Sequence, residues 1–156
     1  MKQDKFLIGI VAGIIALVAI ALVVFFSRGN VEPQYQPEDT PKGVVTNYIL
    51  AVQKGEYEKA YASLGDFSGK PTLIQFKQYL LMNAQQQTVS INVVTEQVDG
   101  NAATVAVETT YSGGGLFNEG YPNKEYALLE KVDGKWKVFQ MPYSYWSYDW
   151  NQTVVK

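Results

Sequence analysis

Glu130-Lys131-Val132-Asp133-Gly134-Lys135-Trp136-Lys137-Val138 decides the fold of this chain. Two short runs flank Asp-Gly, and the second, Lys135-Trp136-Lys137-Val138, alternates charged with apolar residues. That dipeptide accepts positive φ at both central positions, as a two-residue hairpin turn requires. The segment is therefore a β-hairpin, with Trp136, Val138 and Met141 expected on one side of its second strand and Phe139 on the other.

Working back from the hairpin, Tyr126, Leu128 and Val132 mark the preceding strand, reached through a glycine-rich loop from Ser112 to Asn123. Val105, Val107, Thr109 and Tyr111 alternate along another strand, and Asp99-Gly100-Asn101 turns the chain before it. Earlier still, Val89, Ile91 and Val93 alternate with Ser90 and Asn92. The phase then slips at Val93-Val94, which is the signature of a β-bulge. Four antiparallel strands in a meander follow from this pattern.

Before Thr88 the period is helical. Thr40-Pro41 pairs a capping side chain with a proline at the first helical position. Val44, Val45, Tyr48, Ile49 and Val52 then recur on one face. Gly55 ends that helix, and Glu56 with Glu58 opens a second whose stripe is Tyr57, Ala60, Tyr61 and Leu64. Thr72 and Gln75 form a capping box for a third, carrying Leu73, Phe76, Leu80 and Leu81. Three helices followed by a four-stranded meander define an α+β class.

These residues resemble the nuclear transport factor 2-like superfamily over about 41–142. The resemblance is carried by the run Val44 to Val52, by Gly55-Glu56-Tyr57-Glu58-Lys59-Ala60-Tyr61, by Val98-Asp99-Gly100 before Ala103-Thr104-Val105, and by the Asp-Gly-Lys-Trp hairpin. It looks most like an exported, membrane-tethered branch of uncharacterised bacterial domains. The resemblance implies a cone in which three helices close over a curved four-stranded sheet. It does not imply an activity, because the superfamily holds isomerases, dehydratases, binders and structural modules.

Phe6 to Phe26 are twenty-one residues without a charge. As a helix they reach about 31 Å, close to the thickness of a bilayer's hydrocarbon core. A single transmembrane anchor is expected over 6–26, after a short tail at 1–5. It is too long for a cleaved signal, and a cut after Ala19-Ile20-Ala21 would expose an apolar terminus. Lys2 and Lys5 before the span, against Arg28 after it, favour a cytoplasmic N-terminus and an extracytoplasmic domain at the cell membrane. Gly9 and Gly13 make a G-x-x-x-G through which two such helices can pack, so a homodimer is among the expected states. Residues 27–40, with prolines and acids, read as a polar linker to a domain at 41–156.

Of 156 residues none is histidine or cysteine. That excludes Ser-His-Asp and Cys-His nucleophiles, most zinc sites and the usual neutral-pH proton shuttle. No cofactor or metal is expected. The domain at 41–156 carries ten lysines, eleven acids and no arginine. Nucleic-acid binders show a basic stripe, so that class is excluded too. What remains for acid–base chemistry is a carboxylate beside a tyrosine. Glu108 with Tyr126, near Trp136, is the candidate if that side of the sheet lines a cavity, and a solvated strand face if it does not. Ser112-Gly113-Gly114-Gly115 lacks the lysine and helix of a phosphate loop. Asn151-Gln152-Thr153 fits the N-glycosylation pattern.

The last unusual stretch is Tyr143-Ser144-Tyr145-Trp146-Ser147-Tyr148-Asp149-Trp150, five of whose eight residues are Tyr or Trp. Such side chains dominate contact surfaces. Tyr143, Tyr145, Trp146, Tyr148 and Trp150 are thus candidates for contact with an envelope protein or a ligand, the other reading being that they pack on the domain's own helices. The expectation is a non-catalytic, membrane-tethered domain for protein contacts in the envelope. A carrier of a lipid or aromatic ligand in the cone is the alternative.

Overall fold

The computed structural model describes residues 5–27, 33–84, 89–111 and 122–151, which divide along the sequence into two compact units, one up to Pro33 and one from Gln34. The first holds one helix, α1 (Lys5–Ser27), of 23 residues. It is long and apolar enough to cross a membrane.

The second unit contains α2 (Pro41–Gln53), α3 (Tyr57–Ala62), α4 (Leu73–Ala84) and the strands β1 (Val89–Asp99), β2 (Ala102–Tyr111), β3 (Pro122–Val132) and β4 (Lys135–Gln140). The strands form one antiparallel sheet in the order β1-β2-β3-β4. Each boundary has a local cause. Thr40 Oγ1 accepts the Gly43 amide at 3.0 Å to start α2. At α4 the capping box is reciprocal, with Thr72 N–H donating to Gln75 Oε1 at 2.9 Å and Gln75 N–H to Thr72 Oγ1 at 3.3 Å. Asp133 and Gly134 turn β3 into β4 with φ of 49° and 78°, a backbone that Gly accepts without cost. The β1–β2 register shifts between Val93 and Thr95, which is the bulge expected there.

The helices cover one face of the sheet. Val44, Val45 and Tyr48 of α2 are buried with Val105 and Val107 of β2, Ala127 and Leu129 of β3, and Val138 of β4. Each aliphatic side chain taken out of water there contributes roughly 1.5–3 kcal/mol. The outer edge of β4 is covered by the chain after α3. Gly65 N–H donates to the Val138 carbonyl at 2.8 Å and Val138 N–H to that of Ser63 at 2.9 Å, so the middle of this edge is already paired within the chain.

Three expectations are corrected. Leu81 is 53% exposed, and α4 turns Tyr79 toward the core in its place. On β3 the buried residues are Ala127 and Leu129, whereas Tyr126, Leu128 and Val132 stand on the side away from the helices or at the strand's end, partly exposed. Compact structure also begins at Gln34 rather than at Pro41. Tyr35 packs on the core, and Gln36 is hydrogen-bonded to the buried Asn47. The loop expected over Ser112 to Asn123 lies, for 112–121, outside the described residues, as does Gln152-Thr153 of the glycosylation pattern.

Candidate functional site

After β4 the chain does not continue as a strand. Pro142 lacks the amide a ladder needs, and two short 3-10 turns follow, Tyr143–Tyr145 and Tyr148–Asn151. A turn of about three residues sends successive aromatic rings to different sides. Tyr145, Trp146 and Trp150 point inward and are 2–8% exposed, whereas Tyr143 and Tyr148 point outward at 66% and 69%.

The inward rings join the helices. Trp150 stacks on Phe76 with ring centres 5.5 Å apart, and it meets Tyr79 and Trp146 edge-on at 4.9 and 5.1 Å. Two phenols anchor the tail's backbone. Tyr79 donates to the Trp146 carbonyl and Tyr48 to that of Tyr145, each at 2.9 Å. Burial pushes the Tyr48 phenol well above its ordinary pKa and raises Tyr145 as well. Burial raises Tyr79, with neighbouring Tyr143 and Asp149 adding to the effect. Tyr145, Trp146 and Trp150 are therefore packed on the domain's own helices, the second of the two readings the sequence left open. Their rings fill space between the helices and the sheet.

Glu108, Tyr126 and Trp136 do not come together as a cavity either. Glu108 faces Lys124 across the ladder and Tyr126 faces Ala106, on the side of the sheet away from the helices. Trp136 is buried on the opposite side, with Lys131 Nζ 5.4 Å from its ring centre. Val105 and Val107 take the core-facing positions of β2, and Glu108 lies half-buried on the other face with Thr104, Ala106 and Thr110.

The tail's outward face holds a groove of about 310 Å³ where β3 meets the tail, lined by Glu125, Tyr126, Gln140, Met141, Pro142, Tyr143, Trp146 and Tyr148. Its carboxylate is held at both oxygens. Thr109 Oγ1 donates to Glu125 Oε1 at 2.8 Å, and the Tyr143 amide donates to Oε2 at 3.1 Å. Glu125 was not singled out in the sequence. Its only signal there is an acid that shares the core side of β3 with Ala127, opposite Val107. Around it Tyr126, Tyr143 and Tyr148 are each at least half exposed. A fixed carboxylate with exposed phenols in the same groove can accept further hydrogen bonds beside aromatic faces.

No family model and no curated protein matches the sequence. Solved structures do. A SEC-C motif-containing protein from Rhodopseudomonas palustris is 13% identical with a TM-score of 0.51, the match covering 67% of this chain and 79% of that one. An NTF2-like protein of unknown function from Methylobacillus flagellatus is 19% identical at 0.42, over 61% of this chain and 80% of that one. A protein provisionally assigned as a ketosteroid isomerase from Shewanella frigidimarina is 18% identical at 0.45, over 67% and 95%. The last two are loose likenesses, and at these identities only the fold is shared. With its helices on one face of a bulged four-stranded antiparallel meander, the domain from Gln34 onward is α+β, and nuclear transport factor 2-like proteins are among the structures it is similar to.

Proposed function

We propose that this protein is a non-catalytic, single-pass membrane protein that holds its NTF2-like domain on the extracytoplasmic side for contact with an envelope protein. The observation that carries the reading is the division of the aromatic tail. Its tryptophans are spent on the core, yet Tyr143 and Tyr148 are held out in solvent beside Tyr126. Large amphipathic rings fixed on a packed backbone offer contact area at little entropic cost. The apolar helix α1 supports membrane attachment, and the Lys2/Lys5 excess over Arg28 supports the orientation. Gly9 and Gly13 lie on α1 with no side chain near either, open to a second helix.

Crosslinking the full-length protein in its native membrane tests the contact. A partner recovered with wild type and lost with Tyr143→Ala/Tyr148→Ala supports the reading, provided the variant's melting temperature is unchanged. Recovery that does not depend on these tyrosines rejects the surface. The anchor is tested by Ile15→Arg, since a charge at the centre of the span costs about 2.5–3.5 kcal/mol on insertion. Undiminished recovery of that variant in the membrane fraction, resistant to alkaline wash, would reject 6–26 as the anchor.

A further inference from the structure

Resting on that reading of the tyrosine face, we infer that its groove receives a cationic side chain, lysine or arginine, of the partner polypeptide. Glu125 carries the only formal charge among the groove's lining residues, and no lysine or arginine is among them. Among the described residues no cation pairs with Glu125. Its two hydrogen bonds, from Thr109 and from the Tyr143 amide, fix the carboxylate and use one lone pair on each oxygen. A second lone pair on each remains for an ammonium or guanidinium donor. The exposed rings of Tyr143 and Tyr148 line the same groove, and an aromatic face attracts a cation through its quadrupole. From Val138 to Asn151 the only charged residue is Asp149, so the surrounding tail adds a further negative charge and no positive one. At about 310 Å³ the groove has room for one long side chain.

The same domain already joins these elements elsewhere. Lys59 Nζ lies 3.0 Å from the ring centre of Tyr35 and 3.7 Å from Glu56 Oε2, while the Tyr35 hydroxyl donates to that same carboxylate oxygen at 2.8 Å. Phenol, carboxylate and ammonium thus form a closed set within the chain. The groove also holds a carboxylate and phenols, though there the carboxylate is bound by Thr109 and the Tyr143 amide in place of a phenol hydroxyl. An uncharged sugar would stack on the rings and donate hydroxyls to Glu125, but it brings no opposite charge, so charge complementarity favours the cation.

The test titrates the full-length protein, in nanodiscs of uncharged phosphatidylcholine, with a tri-arginine peptide, its tri-citrulline counterpart and a neutral trisaccharide. Expected results are saturable binding of tri-arginine that weakens with added salt, and at least tenfold weaker binding of tri-citrulline. Tyr143→Ala/Tyr148→Ala should abolish the arginine signal. Glu125→Gln, which preserves shape, should weaken it by about tenfold at an unchanged melting temperature. Equal binding of the two peptides, binding of the trisaccharide in their place, an arginine signal that survives both variants, or no binding at all would each overturn the inference. Two failures are distinguishable. If tri-arginine does not bind but the membrane crosslink still requires Tyr143 and Tyr148, the cation is wrong and the contact surface stands. If the crosslink is also indifferent to those tyrosines, both fall.

Discussion

The side chain of Asn47 binds both backbone groups of Gln36. Its Oδ1 accepts the Gln36 amide at 2.7 Å and its Nδ2 donates to the Gln36 carbonyl at 2.8 Å. A primary amide presents one donor and one acceptor side by side, so it can pair with an extended residue as a neighbouring strand would. Tyr35 adds a second hold through Glu56 and Lys59, and α2 closes on the segment at Gly43, where any Cβ would collide with the Pro37 carbonyl oxygen. The polar stretch before Pro41 is consequently part of the domain from Gln34 on.

Asn47→Ala should release this segment without unfolding the domain. It removes both bonds to Gln36, and a buried group left unpaired costs about 1–3 kcal/mol. Amide exchange at Gln36 is the direct readout, with at least a tenfold loss of protection expected while Val105 and Val107 keep theirs. Gly43→Ala should reproduce the effect from the other side. Unchanged protection of Gln36 in both variants would mean that residues 34–37 are held by something else.

The two classes of tail aromatic should separate cleanly in stability. Trp146→Ala and Trp150→Ala each empty a site packed against Phe67, Phe76 or Tyr79, and truncations of this kind cost about 3–5 kcal/mol. Tyr148→Ala, with its ring in solvent, should stay within about 0.5 kcal/mol of wild type. Denaturant midpoints measure both. A destabilisation by Tyr148→Ala as large as that by Trp150→Ala would place Tyr148 in the core, against the division drawn above.

That division also marks what the sequence could reveal. The helices and strands were legible because caps, turn residues and alternation act locally: Thr40-Pro41, Thr72 with Gln75, and Asp133-Gly134 each do what their chemistry dictates wherever they occur. The bulge at Val93-Val94 was legible for the same reason. The tail was not. Its composition flagged it, but which ring goes in depends on Pro142 breaking the strand and on phenols from distant helices, Tyr48 and Tyr79, binding the carbonyls of Tyr145 and Trp146. Glu125 was invisible because its role arises from Thr109 on β2 and Tyr143 on the tail, contacts no spacing encodes. Residues 34–40 misled through composition, since proline and acids read as spacer while Asn47 waits eleven residues downstream of Gln36 to bind it.

The loop between α3 and α4 is fitted to the tail at one point. A Cβ on Gly69 would collide with the carbonyl of Trp150, which is backbone and cannot rotate away. Gly69→Ala should therefore lift the second 3-10 turn off α4 at a cost of about 1–3 kcal/mol. Tryptophan fluorescence should shift to the red as Trp150 becomes wetter. An unshifted spectrum with wild-type stability would show that the loop yields instead.

Alkaline pH should weaken the fold through its buried phenols. Tyr48, Tyr79 and Tyr145 are raised in the folded state, chiefly by burial, and Tyr35 is pushed up to about 12 by burial and by the Glu56 carboxylate that accepts its hydroxyl. In the unfolded chain each titrates near the ordinary tyrosine value of about 10. A folded pKa above the unfolded one means that the native state holds its proton longer. The stability is then fully present below pH about 10 and is lost as the pH climbs toward the folded value, for Tyr35 between about 10 and about 12. A fully buried tyrosine such as Tyr48, still neutral in the fold, adds up to about 1.4 kcal/mol per pH unit to the decline, and the solvent-facing Tyr35 adds much less because water screens it. Phenolate absorbance and circular dichroism followed together should show these groups ionising only as the structure melts, and Tyr48→Phe should make the decline shallower although its hydrogen bond to Tyr145 is gone. Complete phenolate formation with native dichroism would show that these hydroxyls are open to water.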